Sequence, residues 1–186
     1  MRVIAGLYKG RRLRTLEGLA IRPTSDRLRE TLFNILAPRI EDATFLDICA
    51  GSGAVGIEAL SRGARHVTFI ESSRRAIGII EANLSHCQID NGVSVVNRDA
   101  LTALKYFARR ERRFDLCYFD PPYSTDLYSP VMWLLARHNL VETGGIVAVE
   151  HSKTLEMKQP FGRLIPFREI RQGETQVMMY EMREDV

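Results

Sequence analysis

The stretch Phe45-Leu46-Asp47-Ile48-Cys49-Ala50-Gly51-Ser52-Gly53-Ala54-Val55-Gly56 restricts the fold more than any other part of the 186-residue chain. Residues 45–48 are apolar apart from one acid and read as a short buried strand. Two glycines then make a sharp turn, and residues 54–60 carry an apolar helical period. A chain that passes from strand to helix so abruptly builds a parallel sheet, because the helix is the crossover to the next strand. The glycines let the backbone approach a ligand, and the helix amino terminus offers it free N–H groups.

The same alternation recurs downstream. Strands are expected at residues 67–70, 93–96, 114–119 and 146–150, with helices at 74–87, 101–108 and 128–139 between them. Gly144-Gly145 predicts a turn before the strand at 146–150. Two extended runs, 164–170 and 176–181, are joined through Gln172-Gly173. The fold class is α/β, with helices on both faces of a mostly parallel sheet.

Four acids close successive strands: Asp47, Glu71, Asp99 and Asp120. In an open α/β sheet those ends line one crevice. Gly51-x-Gly53-x-x-Gly56 with Glu71 twenty residues after Gly51 is the dinucleotide fingerprint, and a carboxylate at 71 suits the ribose of NAD or of S-adenosylmethionine alike. Asp47 separates the two, since a pyrophosphate packs poorly beside a carboxylate and a sulfonium does not. The oxygens of Asp99 are placed to take an adenine amino group.

Asp120-Pro121-Pro122-Tyr123 follows the apolar run 114–119. Each proline fixes its own φ near about −65° and holds the preceding residue extended, and neither offers an N–H. The Asp120 carboxylate and the Pro121 carbonyl can then both accept from one NH₂ group while Tyr123 stacks on the ring that bears it. A plain proline turn is the alternative.

Together, Leu46-Asp47-x-x-Ala50-Gly51-Ser52-Gly53, Glu71, Asp99 and Asp120-Pro121-Pro122-Tyr123 resemble class I (Rossmann-like) S-adenosylmethionine-dependent methyltransferases that act on amines. Ile4-Ala5-Gly6, Lys9-Gly10-Arg11-Arg12-Leu13 and Arg22-Pro23-Thr24-Ser25-Asp26-Arg27-Leu28-Arg29-Glu30-Thr31-Leu32-Phe33-Asn34 narrow the resemblance to the RsmD family, bacterial enzymes that methylate the N2 amine of one guanine in 16S ribosomal RNA. The resemblance implies a seven-stranded sheet closed by an antiparallel hairpin from the tail. It implies S-adenosylmethionine held by Asp47, Ala50, Gly51, Ser52, Gly53, Glu71, Ser72, Asp99 and Ala100, and a catalytic set of Asp120, Pro121, Pro122 and Tyr123. Its RNA contacts would be Lys9, Arg11, Arg12, Arg14, Arg22, Arg27 and Arg29. The implied partner is 16S rRNA within small-subunit particles, met by a monomer. Cys49 stands where relatives often carry phenylalanine, and position 120 is Asp rather than the Asn of the broader amino-methylating group.

Charge supports an RNA-facing end. Residues 1–40 hold nine Lys or Arg against three acids, a net +6, while the remainder carries −3. These residues form a basic extension: a glycine-turned hairpin, residues 3–6 with 11–13, and a helix starting near Thr24 or Ser25 whose apolar stripe is Leu28, Leu32, Ile35 and Leu36. Residues 41–186 make up the methyltransferase domain. Arg11, Arg12, Arg14, Arg22 and Arg29 are then free for phosphates, which supply affinity and register rather than base identity. A second cluster, Arg109, Arg110, Arg112 and Arg113, is expected to serve the helix dipole, with RNA contact as the lesser alternative.

No apolar stretch approaches the roughly 18 residues of a membrane span, and no signal-peptide layout opens the chain, so a cytoplasmic protein is expected. Three cysteines and four scattered histidines show neither zinc spacing nor disulfide pairing. His151 reads as structural. Competing readings are a DNA adenine-N6 or protein-glutamine methyltransferase, a nicotinamide oxidoreductase, and a non-catalytic RNA-binding module.

Overall fold

In the computed structural model, residues 1–15, 26–122 and 126–184 are described. Seven strands form one sheet in the order β3-β2-β1-β4-β5-β7-β6. The parallel half comprises β1 (Thr44–Ile48), β2 (His66–Glu71), β3 (Val93–Asn97), β4 (Phe114–Phe119) and the start of β5 (Val141–Ser152). The tail strands β6 (Leu164–Gln172) and β7 (Thr175–Met182) pair antiparallel, and β7 slots between β5 and β6. Strand order reverses between β1 and β4, which opens a crevice at their carboxyl ends.

Alternation along the strands separates two cores. Phe45, Val67, Phe69 and Tyr118 face α1 (Asp26–Ile40), α2 (Ala54–Ser61) and α3 (Arg74–His86), in a layer that also takes in Val3 and Leu13. Leu46, Ile48, Ile70 and Phe119 face α4 (Ala100–Ala108) and α5 (Tyr128–Arg137) on the other side. The amino-terminal residues therefore share a core with the sheet. No helix among the described residues is long and apolar enough to cross a membrane, and none of their His, Cys, Asp and Glu side chains cluster as a metal site.

Two expectations are corrected. Gly144-Gly145 is not a turn ahead of a strand: β5 starts at Val141 and runs through both glycines, with an irregularity in its pairing to β4. Gly144 has φ 78°, and a Cβ on Gly145 would lie 2.7 Å from the Asp115 carbonyl oxygen, so the glycines make a bulge where two backbones nearly touch. The amino-terminal hairpin is also shorter on its first strand. Residues 1–3 pair with 10–13, through Val3 N–H to the Arg11 carbonyl (3.0 Å) and Leu13 N–H to the Met1 carbonyl (3.0 Å).

Residues 4–8 instead dock on the carboxyl end of α2. The Glu58 carboxylate, fully buried, accepts from the Ile4 amide (2.8 Å), the Ala5 amide (3.1 Å) and Arg62 Nε (2.7 Å). Ser61 Oγ accepts from the Tyr8 amide at 2.9 Å, and Leu7 N–H donates to the Ser61 carbonyl at 2.8 Å. A Cβ on Gly6 would sit 1.6 Å from that carbonyl oxygen, so the close approach needs glycine. Truncating Glu58 would strand three half-buried donors, one of them charged. Glu58→Ala is expected to destabilise the protein by about 3 kcal/mol, read as a lower urea midpoint, and to speed proteolysis within residues 1–15.

Candidate functional site

The glycine bend is built from outside itself. Helix α2 starts at Gly53, in the left-handed region at φ 74°, with no side-chain cap of its own. Asp47 of β1 supplies one: its Oδ2 accepts from the Gly56 amide at 2.9 Å, in the first turn of the helix. A carboxylate there meets both an unpaired amide and the positive end of the helix dipole. Gly51 (φ 55°) and Cys49 (φ 63°) are left-handed too. Gly51 has open space where its side chain would stand, whereas a Cβ on Gly56 would lie 2.3 Å from the Phe69 ring. The first glycine of the fingerprint thus leaves room for a ligand, and the last serves helix–sheet packing.

The other strand ends converge on the bend. Glu71 at the end of β2 accepts from the Gly51 amide (2.9 Å), and from the Ser72 and Ser73 amides (2.8 Å each). Asp120 follows β4, and its amide donates to the Ile48 carbonyl at 3.2 Å, so the proline pair lies beside the glycine turn. Pro121 is buried and Pro122 exposed. Asp99 caps α4 through Thr102 N–H (2.9 Å), which lowers its pKa, and its carboxylate stays exposed. Ala50, Gly51 and Ser52 are half-buried, Gly53 and Ala100 buried, and Ser72 exposed. Tyr123 and Arg22 lie outside the described residues.

The cleft is lined with acids whose charged forms burial and mutual repulsion disfavour. Burial raises the Asp47 pKa from 3.8 to about 7, against the pull of the Gly56 amide, and Glu71 adds to the rise. Burial, then Glu150, then Asp47 hold Asp120 well above the usual carboxylate range. The Cys49 thiol is pushed up to about 12 by burial and by Glu71, Asp120 and Asp47. Glu150, buried on β5, accepts from the Tyr118 hydroxyl and brings a further acid beneath Asp120. Its part was missed in the sequence, where Glu150 appeared only as the end of an apolar strand.

The donor set fits a cation with ribose hydroxyls better than a pyrophosphate. A pyrophosphate would raise the repulsion that already lifts these pKa values, whereas a positive ligand relieves it.

The basic extension divides. Lys9, Arg12, Arg14 and Arg27 are exposed. Arg11 is half-buried, over the Tyr8 ring at 5.4 Å and bonded to the His86 carbonyl (3.3 Å) and Gln88 (3.4 Å). Arg29 is a correction: it is fully buried, not free for phosphate. It donates to the Arg2 carbonyl at 2.6 Å and Asp26 at 3.0 Å, and burial lowers its pKa. Its place in the same helical period as Leu28 and Leu32 left that burial invisible to a charge count. His151 is buried as well, with Nδ1 2.9 Å from the Ser152 carbonyl oxygen.

Comparison with known proteins agrees with this geometry. Residues 1–181 match the family model described as conserved hypothetical protein 95. The chain is 37% identical to ribosomal RNA small subunit methyltransferase D of Haemophilus influenzae, over 86% of this chain and 83% of that protein. It is 38% identical to the Escherichia coli K12 protein of the same name, over 81% and 74% respectively. Among solved structures it matches Escherichia coli yhhF, provisionally described as a methyltransferase, with a TM-score of 0.88 and 31% identity over 100% of this chain and 99% of that one. It shares its fold alone with SMU.776, solved in complex with SAH, at a TM-score of 0.64 and 16% identity, over 82% of this chain and 49% of that one.

The raised Asp47 pKa has a consequence for stability. The folded state holds this proton more tightly than the unfolded chain, so the stabilisation is full below about pH 4 and lost as pH rises through about 7. Asp47→Asn keeps an oxygen for the Gly56 amide and removes the titration. Urea unfolding from about pH 5 to about pH 8 is expected to show the unaltered protein losing stability relative to the variant.

Proposed function

We propose that this chain, which belongs to the conserved hypothetical protein 95 family, transfers a methyl group from S-adenosylmethionine to the N2 amine of a guanine in small-subunit ribosomal RNA. The observation that carries the reading is the hydrogen bond from the Asp120 amide to the Ile48 carbonyl, which seats an acid and two prolines against the glycine bend. Donor and acceptor amine then share one cleft. The names of the relatives supply the RNA and the small subunit.

When bound, S-adenosylmethionine supplies an electrophilic methyl group on a sulfonium cation. Residues of this chain do the rest. Glu71, preorganised by three backbone amides, accepts from the ribose hydroxyls, and Asp99 with Ala100 meets the adenine edge. Ala50, Gly51, Ser52 and Gly53 leave the backbone open to the amino-acid end, and Asp47 holds their turn in place.

The guanine N2 lone pair is delocalised into the ring and attacks poorly. Asp120 and the Pro121 carbonyl accept its two hydrogens, which turns the lone pair toward the methyl group, and Tyr123 stacks on the base. A base in folded RNA leaves its stack to enter so narrow a slot. Once methylated, the amine carries a proton it cannot keep, and Asp120 has the basicity to accept it because burial and Glu150 have raised its pKa. The exposed Lys9, Arg12, Arg14 and Arg27 then anchor the flanking backbone, with residues 1–40 acting as an RNA-contacting extension of the domain at 41–186.

A nicotinamide cofactor is disfavoured by the acid-lined cleft. Incubation with labelled S-adenosylmethionine and either naked 16S rRNA or small-subunit particles, followed by digestion to nucleosides, is expected to put label in N2-methylguanosine. Label in N6-methyladenosine, or in no nucleoside, would refute the reading.

For the mechanism, Asp120→Ala is expected to retain cofactor affinity and lose at least about a hundred-fold in kcat. In the unaltered enzyme Asp120 must be ionised to accept, so the rate falls on the acid side of a pKa well above the ordinary carboxylate range. A pH–rate profile flat down to about pH 5 would remove that role.

A further inference from the structure

Residues 98–113 carry six Lys or Arg against two acids, Asp99 and Glu111. Among the described residues Arg113 is the one member of the six in an ion pair, with Glu142 at 3.4 Å. The others do not simply cap the end of α4. Arg98 and Arg110 both lie over the half-exposed Tyr106 ring, 5.0 and 4.6 Å from its centroid, and Arg112 lies over Phe107 at 5.8 Å. A guanidinium held over a ring loses rotamer freedom yet keeps N–H donors at its edge, the arrangement that receives phosphate.

Next to Arg112 is a cavity of about 430 Å³ lined by Arg65, His66, Thr68, Arg112 and Arg113, with Thr44 and Phe114 completing it. Thr68 is fully buried, and its hydroxyl has no hydrogen-bond partner among the described residues. Buried polar groups are almost always satisfied, so such an oxygen marks a place for a polar visitor. The His66 pKa is lowered by burial and then by Arg112 and Arg65, which puts both positive charges within reach of one point. His66 Nε2 lies 3.0 Å from Ser94 Oγ. Of the nearby acids, Asp115 accepts from Thr44 and Glu142 faces Arg113, so Arg65 and Arg112 keep their charge unpaired among the described residues.

Taking the RNA-methylating reading as given, we propose that this cavity binds a backbone phosphate of the RNA substrate, held between Arg65 and Arg112 and within reach of the Thr68 hydroxyl. Arg98, Tyr106 and Arg110 form the lip along which the strand approaches. The position is informative. Thr68 is offset by one residue from Val67 and Phe69, so it faces α4 and α5, whereas the amino-terminal hairpin packs on the α1–α3 face. The cavity opens at the amino ends of β1, β2 and β4, the edge opposite the crevice, so an RNA held here runs along α4 from Arg98, just after β3, to Arg112, while the hairpin meets it on the other face.

The test compares Arg65→Ala/Arg112→Ala with Lys158→Ala/Arg168→Ala, a control that removes the same charge from exposed positions elsewhere. Binding of a small-subunit rRNA fragment is followed by fluorescence anisotropy from about 50 to 200 mM salt. The first variant is expected to lose about ten-fold or more in affinity and to flatten the log–log salt slope by about one to two units. The control stays near the unaltered protein, and both keep its Tm and its affinity for S-adenosylmethionine. Equal affinity and slope in variant and control would overturn the site.

If the double variant fails to fold, the His66 ring resonances of the unaltered protein carry the test. A shift on adding the rRNA fragment is expected, and a fixed signal overturns the proposal. An unaltered protein that binds the fragment in this cavity yet methylates no RNA would refute the function proposed above and leave the phosphate site standing.

Discussion

One hydrogen bond, from the Gly56 amide to the Asp47 carboxylate, determines much of the site. Helix α2 begins on a glycine that cannot cap it, so the cap comes from the strand before, and the turn between them is held from both ends. That solution places a carboxylate where burial disfavours its charge. Glu71, Asp120 and Glu150 add to the same field, whereas Glu58 is answered by Arg62. The cleft thus stores an unfavourable interaction that a positively charged ligand relieves. Selection of a sulfonium over a pyrophosphate follows from how the helix is capped, before any contact to the ligand is counted.

The same eight-residue helix carries an acid of its own, Glu58, in the opposite circumstances. Glu58 is as deeply buried as Asp47, but two backbone amides and Arg62 surround it, so its charge is compensated. Its work is mechanical. It fixes residues 4 and 5 on the outside of α2, with Ser61 and Gly6 completing the seam. The capped end of α2 shapes the cleft and the other end carries the basic hairpin. A substrate bound by Arg12 or Arg14 is therefore positioned against the cleft through one rigid helix rather than through a linker.

Much of this was readable in the chain. The strand–helix alternation and the convergence of Asp47, Glu71 and Asp120 follow from apolar period, glycine placement and acids at strand ends, and the antiparallel tail from the family resemblance. What the sequence hid depends on contacts between distant segments. Gly144-Gly145 reads as a turn because the nearby Asp115 carbonyl cannot be seen from local sequence. Arg29 reads as a free cation because its acceptors, the Arg2 carbonyl and Asp26, come together only when the hairpin folds onto α1. Glu58 could have been suspected as the single acid in an otherwise apolar helix. Glu150 gave no such sign, since its partner Tyr118 lies on the neighbouring strand.

The centre of the crevice is acidic, and the basic groups stand outside it, on the hairpin and along α4 and the loop that follows. A polyanion approaching such a surface is attracted at its flanks and repelled at the centre. On the proposed reading the backbone settles on the arginines while the acids turn phosphates away, and only a neutral group, a base withdrawn from its stack, enters the cleft without electrostatic cost. Under the proposed function the acids exclude the backbone as effectively as they receive the amine, and affinity for RNA and selection of the reacting atom fall to different residues.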